Sequence, residues 1–224
     1  MNTHRTSRRA SGFNLTELLI VIGAVALLAA VLLPALAAAR RKASRINCLS
    51  NLKQVGVAFR LWAGDNYDKY PMQVVLTNSE TMRLVVNGSA YLLWQTMSNE
   101  LTTPKILLCP DDEQRSNASS FTQGFSDAHI SYFFSLDAAG PDPQMILDGD
   151  DNLAVDGVRV KPGILALESN RTVAWTKERH KGLGNIGMAD GSAQQVTSAG
   201  LMAAIATVTN GPPTNVITPR WVIP

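Results

Sequence analysis

The chain has 224 residues and a formal net charge of +2, and 17% of its residues are charged. This length suits one membrane anchor plus one domain with a hydrophobic core. Three arginines lie in the first 12 residues, and without them the 18 acidic residues outnumber the basic ones, so we expect no nucleic-acid partner. With only two cysteines, the chain cannot form a four-thiolate metal site.

An uncharged apolar run follows the basic N-terminus. Leu18 to Ala39 is a run of 22 residues without a charge, enough for a helix to span a hydrocarbon core at about 1.5 Å per residue. A secretory signal has a shorter apolar region that ends in a cleavage site of the Ala-x-Ala type. Here the plausible cleavage site precedes the run, so we expect residues 1–12 to be a leader peptide and the run to remain after processing.

Three details mark the start of this run. Gly12 precedes the aromatic Phe13, Glu17 is the fifth residue counted from Phe13, and Pro34 is the twenty-second. This arrangement resembles the type IV prepilin signal of pilins and secretion-system pseudopilins. The resemblance implies cleavage between Gly12 and Phe13 by a prepilin peptidase, N-methylation of Phe13, and pairing of Glu17 with the N-terminal amine of a neighbouring subunit. The alternative for Glu17 is an interfacial carboxylate without a partner.

The apolar run is predicted to continue into an amphipathic helix. From residue 46 the apolar positions are spaced by three or four residues: Ile46, Leu49, Leu52, Val55, Phe59 and Trp62. We predict one helix over residues 14–63, with a transmembrane half at 13–39, an amphipathic half at 40–63 and an end near Gly64. Pro34 is expected to kink or locally unwind it.

The charges around the span give conflicting predictions of membrane topology. Basic residues follow the span at Arg40, Arg41, Lys42 and Arg45, and by the positive-inside rule they favour a cytoplasmic domain. The pilin resemblance implies the opposite orientation, in which the leader is cytoplasmic and the domain is periplasmic or extracellular. We follow the resemblance and expect a single-pass inner-membrane protein.

Residues 64–209 are predicted to form a β-rich globular domain, followed by an extended, proline-rich tail at 210–224. Local patterns predict a helix at 89–99 capped by Ser89, strands at 130–136, 163–168 and 172–175, and a hairpin at 185–197. Residues 137–157 are rich in Asp, Gly and Pro and are predicted to be loop. The expected fold class is α+β, with the long N-terminal helix packed on a small antiparallel sheet, as in pilins.

The two cysteines, Cys48 and Cys109, leave two possibilities. A domain outside the cytoplasm would allow them to form a disulfide, which would pin the helix to the domain and stabilise it by roughly 2–4 kcal/mol. The alternative is two buried free thiols, because sequence spacing does not establish disulfide geometry.

A motif near the C-terminus, RHKGLGNIGMADGSAQQV, places nine residues between His180 and Asp190. It resembles a motif of pilin-like proteins from Planctomycetes and Verrucomicrobia, although Ser192 stands where that motif has a histidine. We interpret His180, Asp190 and Gly191 as structural. Asp190 and Gly191 form a two-residue hairpin turn that needs positive φ at both positions, and His180 bonds to nearby backbone or a carboxylate. The chain lacks the Gly-x-Ser-x-Gly and His-Glu-x-x-His motifs, so we expect no catalytic residues and no enzyme.

An acidic segment, DGDDNLAVDG, contains four aspartates: Asp148, Asp150, Asp151 and Asp156. Their oxygens could bind Ca²⁺, but an EF-hand needs Gly and Glu where this chain has Leu153 and Arg159. We expect a solvated polar loop and no resident metal or cofactor, with a Ca²⁺ site as the alternative.

Together these features predict a structural subunit of a type IV pilus-like filament or of a type II secretion pseudopilus. Such a subunit assembles with itself and other pilins through its N-terminal helix. One alternative is a minor pilin, tip adhesin or substrate-binding module anchored in the inner membrane. A second is an anchored enzyme. The sequence does not distinguish a pilus from a secretion pseudopilus, or a major from a minor subunit.

Overall fold

The computed structural model describes residues 14–74, 85, 89–139, 142–168, 170–209 and 219–224. The chain divides into two compact units, Met1–Lys42 and Ala43–Pro224. Helix α1, Leu15–Asp65, begins in the first unit and continues into the second. Among the described residues it is the one helix long and apolar enough to cross a membrane. The helix is unbroken at Pro34, so the local unwinding expected there does not occur.

The C-terminal part of α1 buries a stripe of side chains inside the second unit. Leu52, Val55 and Phe59 are fully buried, as their spacing predicts, whereas Ile46 is 56% exposed. Small residues, including Gly56, also lie on the buried face. The helix ends at Asp65, one residue after the predicted Gly64, where the chain turns back and the amide of Asp68 donates to the carbonyl of Ala63.

Short helices follow α1. They are α2 at Pro71–Val74, α3 at Tyr91–Thr96 and α4 at Ser98–Leu101, with 3₁₀ turns at Pro104–Leu107 and Asp127–His129. The predicted helix at 89–99 is therefore two short helices. The side chain of Asp127, and not the predicted Ser89, accepts hydrogen bonds from the amides of Ala90 and Tyr91, at 3.2 and 2.6 Å.

Nine strands form two antiparallel sheets in the described residues. They are β1 Tyr132–Ser135, β2 Ile146–Asp150, β3 Leu153–Val155, β4 Val158–Arg159, β5 Gly163–Ala166, β6 Val173–Trp175, β7 Leu183–Met188, β8 Ala193–Thr197 and β9 Arg220–Ile223. The larger sheet has the order β5-β9-β1-β2-β7-β8, and the smaller has the order β4-β3-β6. Helix α5, Ser198–Thr209, follows β8. The mixed α+β class is therefore confirmed.

Two sequence-based expectations for this domain are wrong. The predicted loop at 137–157 contains β2 and β3, and β2 lies near the middle of the six-stranded sheet. In the predicted tail at 210–224, Arg220–Ile223 pairs with both β1 and β5 as β9, and residues 210–218 lie outside the described part of the chain. The last residues therefore belong to the sheet.

Alternate residues of β1 fill two separate hydrophobic clusters, because successive side chains of a strand point to opposite faces. Phe134 packs edge-on against Trp94, which in turn contacts Phe59 of α1. Phe133 stacks on Trp221 at a centroid distance of 4.1 Å, in the cluster that α5 joins. The larger sheet thus has one face in the α1 cluster and the other in the α5 cluster.

Candidate functional site

The N-terminal end of α1 carries the residues that the pilin resemblance singles out. Glu17 lies in the first turn, and its Oε2 atom accepts a hydrogen bond of 2.9 Å from the backbone amide of Asn14. A carboxylate here also interacts favourably with the helix dipole. Gly12 and Phe13 lie outside the described residues. Pairing of Glu17 with a neighbouring amine therefore stays a prediction.

Cys48 of α1 and Cys109 form a disulfide, with their Cα atoms 5.2 Å apart and a sequence separation of 61. Both cysteines are fully buried, against Leu52 and Tyr132. Of the two possibilities that the sequence left open, the structure has the disulfide. The bond links α1 covalently to the segment that leads into β1.

His180 lies beside this disulfide with a fully buried side chain. Its Nε2 atom is 3.3 Å from Cys109 Sγ and 3.6 Å from Asp150 Oδ2. On the other side of the ring, Nδ1 is 3.2 Å from Asp111 Oδ2, which also accepts a 3.0 Å hydrogen bond from the His180 amide. The expected carboxylate contacts of His180 are therefore present, but they come from segments remote in the sequence.

Two arginines and two aspartates form a buried ion-pair network next to this histidine. Arg115 lies 2.6 Å from Asp151, while Arg179 contacts both Asp151 and Asp112. Burial alone would raise the pKa of Asp112, but Arg179, the Ser131 hydroxyl and Arg115 together outweigh it and lower the pKa. Each buried charge is thus compensated, as burial of an ion requires.

Asp148 and Asp150 lie on the same face of β2 and are fully buried. Burial, and then the negative charge of Asp150, raise the pKa of Asp148 well above its usual value. Burial also raises the pKa of Asp150, although His180 and Arg179 oppose the shift. The first part of the expected solvated loop is therefore the buried strand β2, whereas Asp156 lies in an exposed turn. The remaining two aspartates point elsewhere, since Asp151 pairs with arginines and Asp156 bonds to Arg171.

Strands β7 and β8 form the expected hairpin, but its turn differs from the prediction. Gly191 has a φ of +83°, whereas Asp190 does not have a positive φ. The Gly191 amide donates to the Met188 carbonyl, and the Met188 amide donates to the Ser192 carbonyl, at 2.9 and 2.8 Å. The loop therefore has three residues, of which only the last is left-handed, a common hairpin form.

This turn packs directly against α1. A Cβ atom added to Gly56 would lie 3.0 Å from the Gly191 carbonyl oxygen. Arg60 Nη1 donates a 3.2 Å hydrogen bond to the Asp190 carbonyl, and the Tyr70 hydroxyl donates to the Ala189 carbonyl. Asp190 and Gly191 therefore lie at the contact between the larger sheet and α1.

Sequence reasoning assigned Asp150 and Asp151 to a solvated loop and missed the other charged residues around His180, which are Asp111, Asp112, Arg115 and Arg179. Asp111 and Asp112 follow Cys109 and Pro110 directly, so their proximity to the cysteine is a signal that was available. Nothing local links them to Arg179 or Asp150. In comparisons with protein-family models, with curated proteins and with solved structures, the chain has no match.

Proposed function

We propose that this chain is a pilin-like or pseudopilin subunit, anchored in the inner membrane by the first part of α1 and assembled into a filament through it. The observation that carries the proposal is the exposed apolar surface of that part of the helix. Leu15, Leu27 and Val31 are each at least 73% exposed, and none of the most apolar 18-residue window is buried. A helix surface of this kind requires lipid or other apolar helices around it.

The continuity of α1 supports the same proposal. One helix of 51 residues contains the exposed apolar segment and then the stripe that fills the core of the domain. Helices of neighbouring subunits would pack together through the apolar segment, while the domains would face outward. The disulfide at Cys48 would transmit force along the filament into the domain through a covalent bond.

The proposed assembly gives Glu17 a specific role. Removal of a prepilin leader would leave a charged amine on Phe13, four residues before this carboxylate in the sequence. A carboxylate in an apolar layer is costly, by about 2.5–3.5 kcal/mol at the centre of a membrane helix, so it needs a partner. The amine of an adjacent subunit is the partner that we propose.

A matched pair of charge-removing substitutions tests this role. Glu17→Gln should leave membrane insertion intact and abolish or strongly reduce the yield of sheared filaments, normalised to the level in the membrane. Glu168→Gln removes a carboxylate that is also exposed, on the domain surface, and should leave the yield unchanged. Equal yields from both variants would refute the assembly role of Glu17.

A further inference from the structure

Four possible metal ligands converge at the disulfide. One ligand atom from each of Cys48, Cys109, Asp150 and His180 lies within 4.8 Å of the other three, and all four residues are buried. Two sulfurs, an imidazole nitrogen and a carboxylate oxygen form a donor set that suits Zn²⁺. In the oxidised chain the sulfurs are bonded to each other and are not available as thiolates.

We propose that the reduced chain binds Zn²⁺ through Cys48, Cys109, His180 and Asp150. A thiol reductant first supplies two electrons and two protons to the S–S bond, giving two thiols while the reductant becomes a disulfide. Zn²⁺ then displaces the two thiol protons and binds two thiolates, because the thiolate is the form that ligates metal.

The distances already present fit a tetrahedral site. With Zn²⁺ bonds of about 2.0–2.3 Å, tetrahedral donor atoms lie about 3.3–3.8 Å from one another. His180 Nε2 is 3.3 Å from Cys109 Sγ and 3.6 Å from Asp150 Oδ2. The remaining pairs of ligand atoms lie within 4.8 Å, so forming the site requires that the two sulfurs separate once their bond is broken and that the ligands close in around the metal.

The surroundings of His180 orient it as a ligand. Asp111 Oδ2 accepts a hydrogen bond from the backbone amide of His180 and lies 3.2 Å from Nδ1, although Nδ1 itself has no hydrogen-bond partner among the described residues. Nε2, on the other side of the ring, lies 3.3 Å from Cys109 Sγ. A carboxylate on the far ring nitrogen is the usual support of a zinc-bound histidine. Asp111 is close enough to Nδ1 to take this role as a positioning residue in the metal-bound chain, while Nε2 binds the metal.

Asp150 has unused capacity to bind a cation. Its Oδ2 atom accepts hydrogen bonds from the backbone and side chain of Asn185, at 2.7 and 3.0 Å. Its Oδ1 atom is buried and has no hydrogen-bond partner among the residues that the structure describes. Because Oδ2 already accepts two hydrogen bonds, Oδ1 is the oxygen that would bind the metal, and a bound cation would satisfy this otherwise costly buried atom.

With the proposed site, α1 could be linked to the segment before β1 in two ways, by the disulfide or by a bound Zn²⁺. In the oxidised chain the disulfide joins α1 to the segment before β1, and in the reduced chain Zn²⁺ would hold the same two residues together. A domain that folds before oxidation would therefore already have α1 fixed in place. Exchange with an oxidising disulfide, which takes two electrons and is reduced to two thiols, would re-form the Cys48–Cys109 bond and release Zn²⁺, since the bond removes both thiolates.

Cobalt titration of the full chain in detergent micelles tests the site. The disulfide is reduced in urea with a phosphine under anaerobic conditions, and the chain is refolded by dilution. Reduced wild-type chain should bind one Co²⁺, with thiolate-to-cobalt charge-transfer absorption and the visible bands of tetrahedral Co²⁺, and Zn²⁺ should displace it. The oxidised chain should show neither signal.

Three variants distinguish this site from adventitious binding to free thiols. Asp111→Asn keeps all four ligands and should weaken binding about 10–100-fold, and His180→Ala should weaken it further. His129→Ala removes a half-buried histidine that bonds to Ser126, away from the cluster, and should bind like wild type. The proposal is overturned if the reduced chain lacks the charge-transfer band, or if Asp111→Asn and His180→Ala both bind as tightly as His129→Ala.

Discussion

The close packing of Gly56 against Gly191 leads to a sharp prediction. Replacing glycine with alanine on α1 should destabilise the domain at position 56 and stabilise it at position 64. Gly56→Ala places a methyl group 3.0, 3.1 and 3.3 Å from three backbone atoms of Gly191. Gly64→Ala places the same methyl group on the same helix with no atom within 4 Å. Both changes replace glycine with the best helix former, so only the surroundings differ.

The expected magnitudes follow from two opposing terms. In a helix interior, alanine is more favourable than glycine by about 0.8–1.0 kcal/mol, and the gain is smaller near the end of a helix, where Gly64 lies. Against this, inserting a methyl group into a packed contact costs about 1–3 kcal/mol. The backbone of Gly191 has little room to move, because hydrogen bonds hold the turn to Met188 and Arg60. Gly56→Ala should therefore lower the free energy of unfolding by about 1 kcal/mol, and Gly64→Ala should raise it by a few tenths.

Urea unfolding of the full chain in detergent, followed by tryptophan fluorescence, measures these effects. All four tryptophans lie between residues 62 and 221, so the signal reports on the domain. Trp94 and Trp221 are almost completely buried and should change most. If Gly56→Ala stabilises the domain as much as Gly64→Ala does, the turn does not pack against α1 as the structure shows.

Two further predictions concern the buried charges. Asp148→Asn should stabilise the domain increasingly as pH rises above about 4, the usual pKa of an aspartate in the unfolded chain. The reason is that a raised folded-state pKa gives stability at low pH that is lost as pH rises, by at most about 1.4 kcal/mol per pH unit. A constant difference in urea midpoints would contradict this. Arg179→Met should lower the free energy of unfolding by about 3–5 kcal/mol, because it leaves the buried carboxylate of Asp151 with less positive charge beside it. The control Arg159→Met breaks an ion pair that is about half exposed and should lower it by about 1 kcal/mol or less in the same urea titrations. Similar losses for the two variants would contradict this.

Helix α1 could be predicted from the sequence because its signals are local. The uncharged run and the spacing of Leu52, Val55 and Phe59 define the helix and its buried face without reference to the rest of the chain. The pattern did not show where the domain begins to cover that face. Ile46 continues the stripe and yet is 56% exposed, because periodicity identifies a face of a helix and not the extent of its partner.

Strand β2 could not be predicted, because its burial depends on distant residues. Its aspartates favour solvent by themselves, and the burial of Asp150 is tolerated because Arg179, His180 and Asn185 come from another part of the chain. The hairpin at β7 and β8 was located by its Asp-Gly pair, but the loop length depends on pairing between Met188 and Ser192, which the dipeptide does not determine. The same limitation applies to the metal ligands around His180.

The mass of the mature protein tests the central claim most directly. Chain extracted from membranes of cells that contain a prepilin peptidase should begin at Phe13 and carry one N-terminal methyl group, as measured by intact-mass spectrometry. Cells without the peptidase should contain the uncleaved chain. A chain that still begins at Met1 in the presence of the peptidase, or one cleaved after Ala39, would contradict the proposed pilin-like subunit.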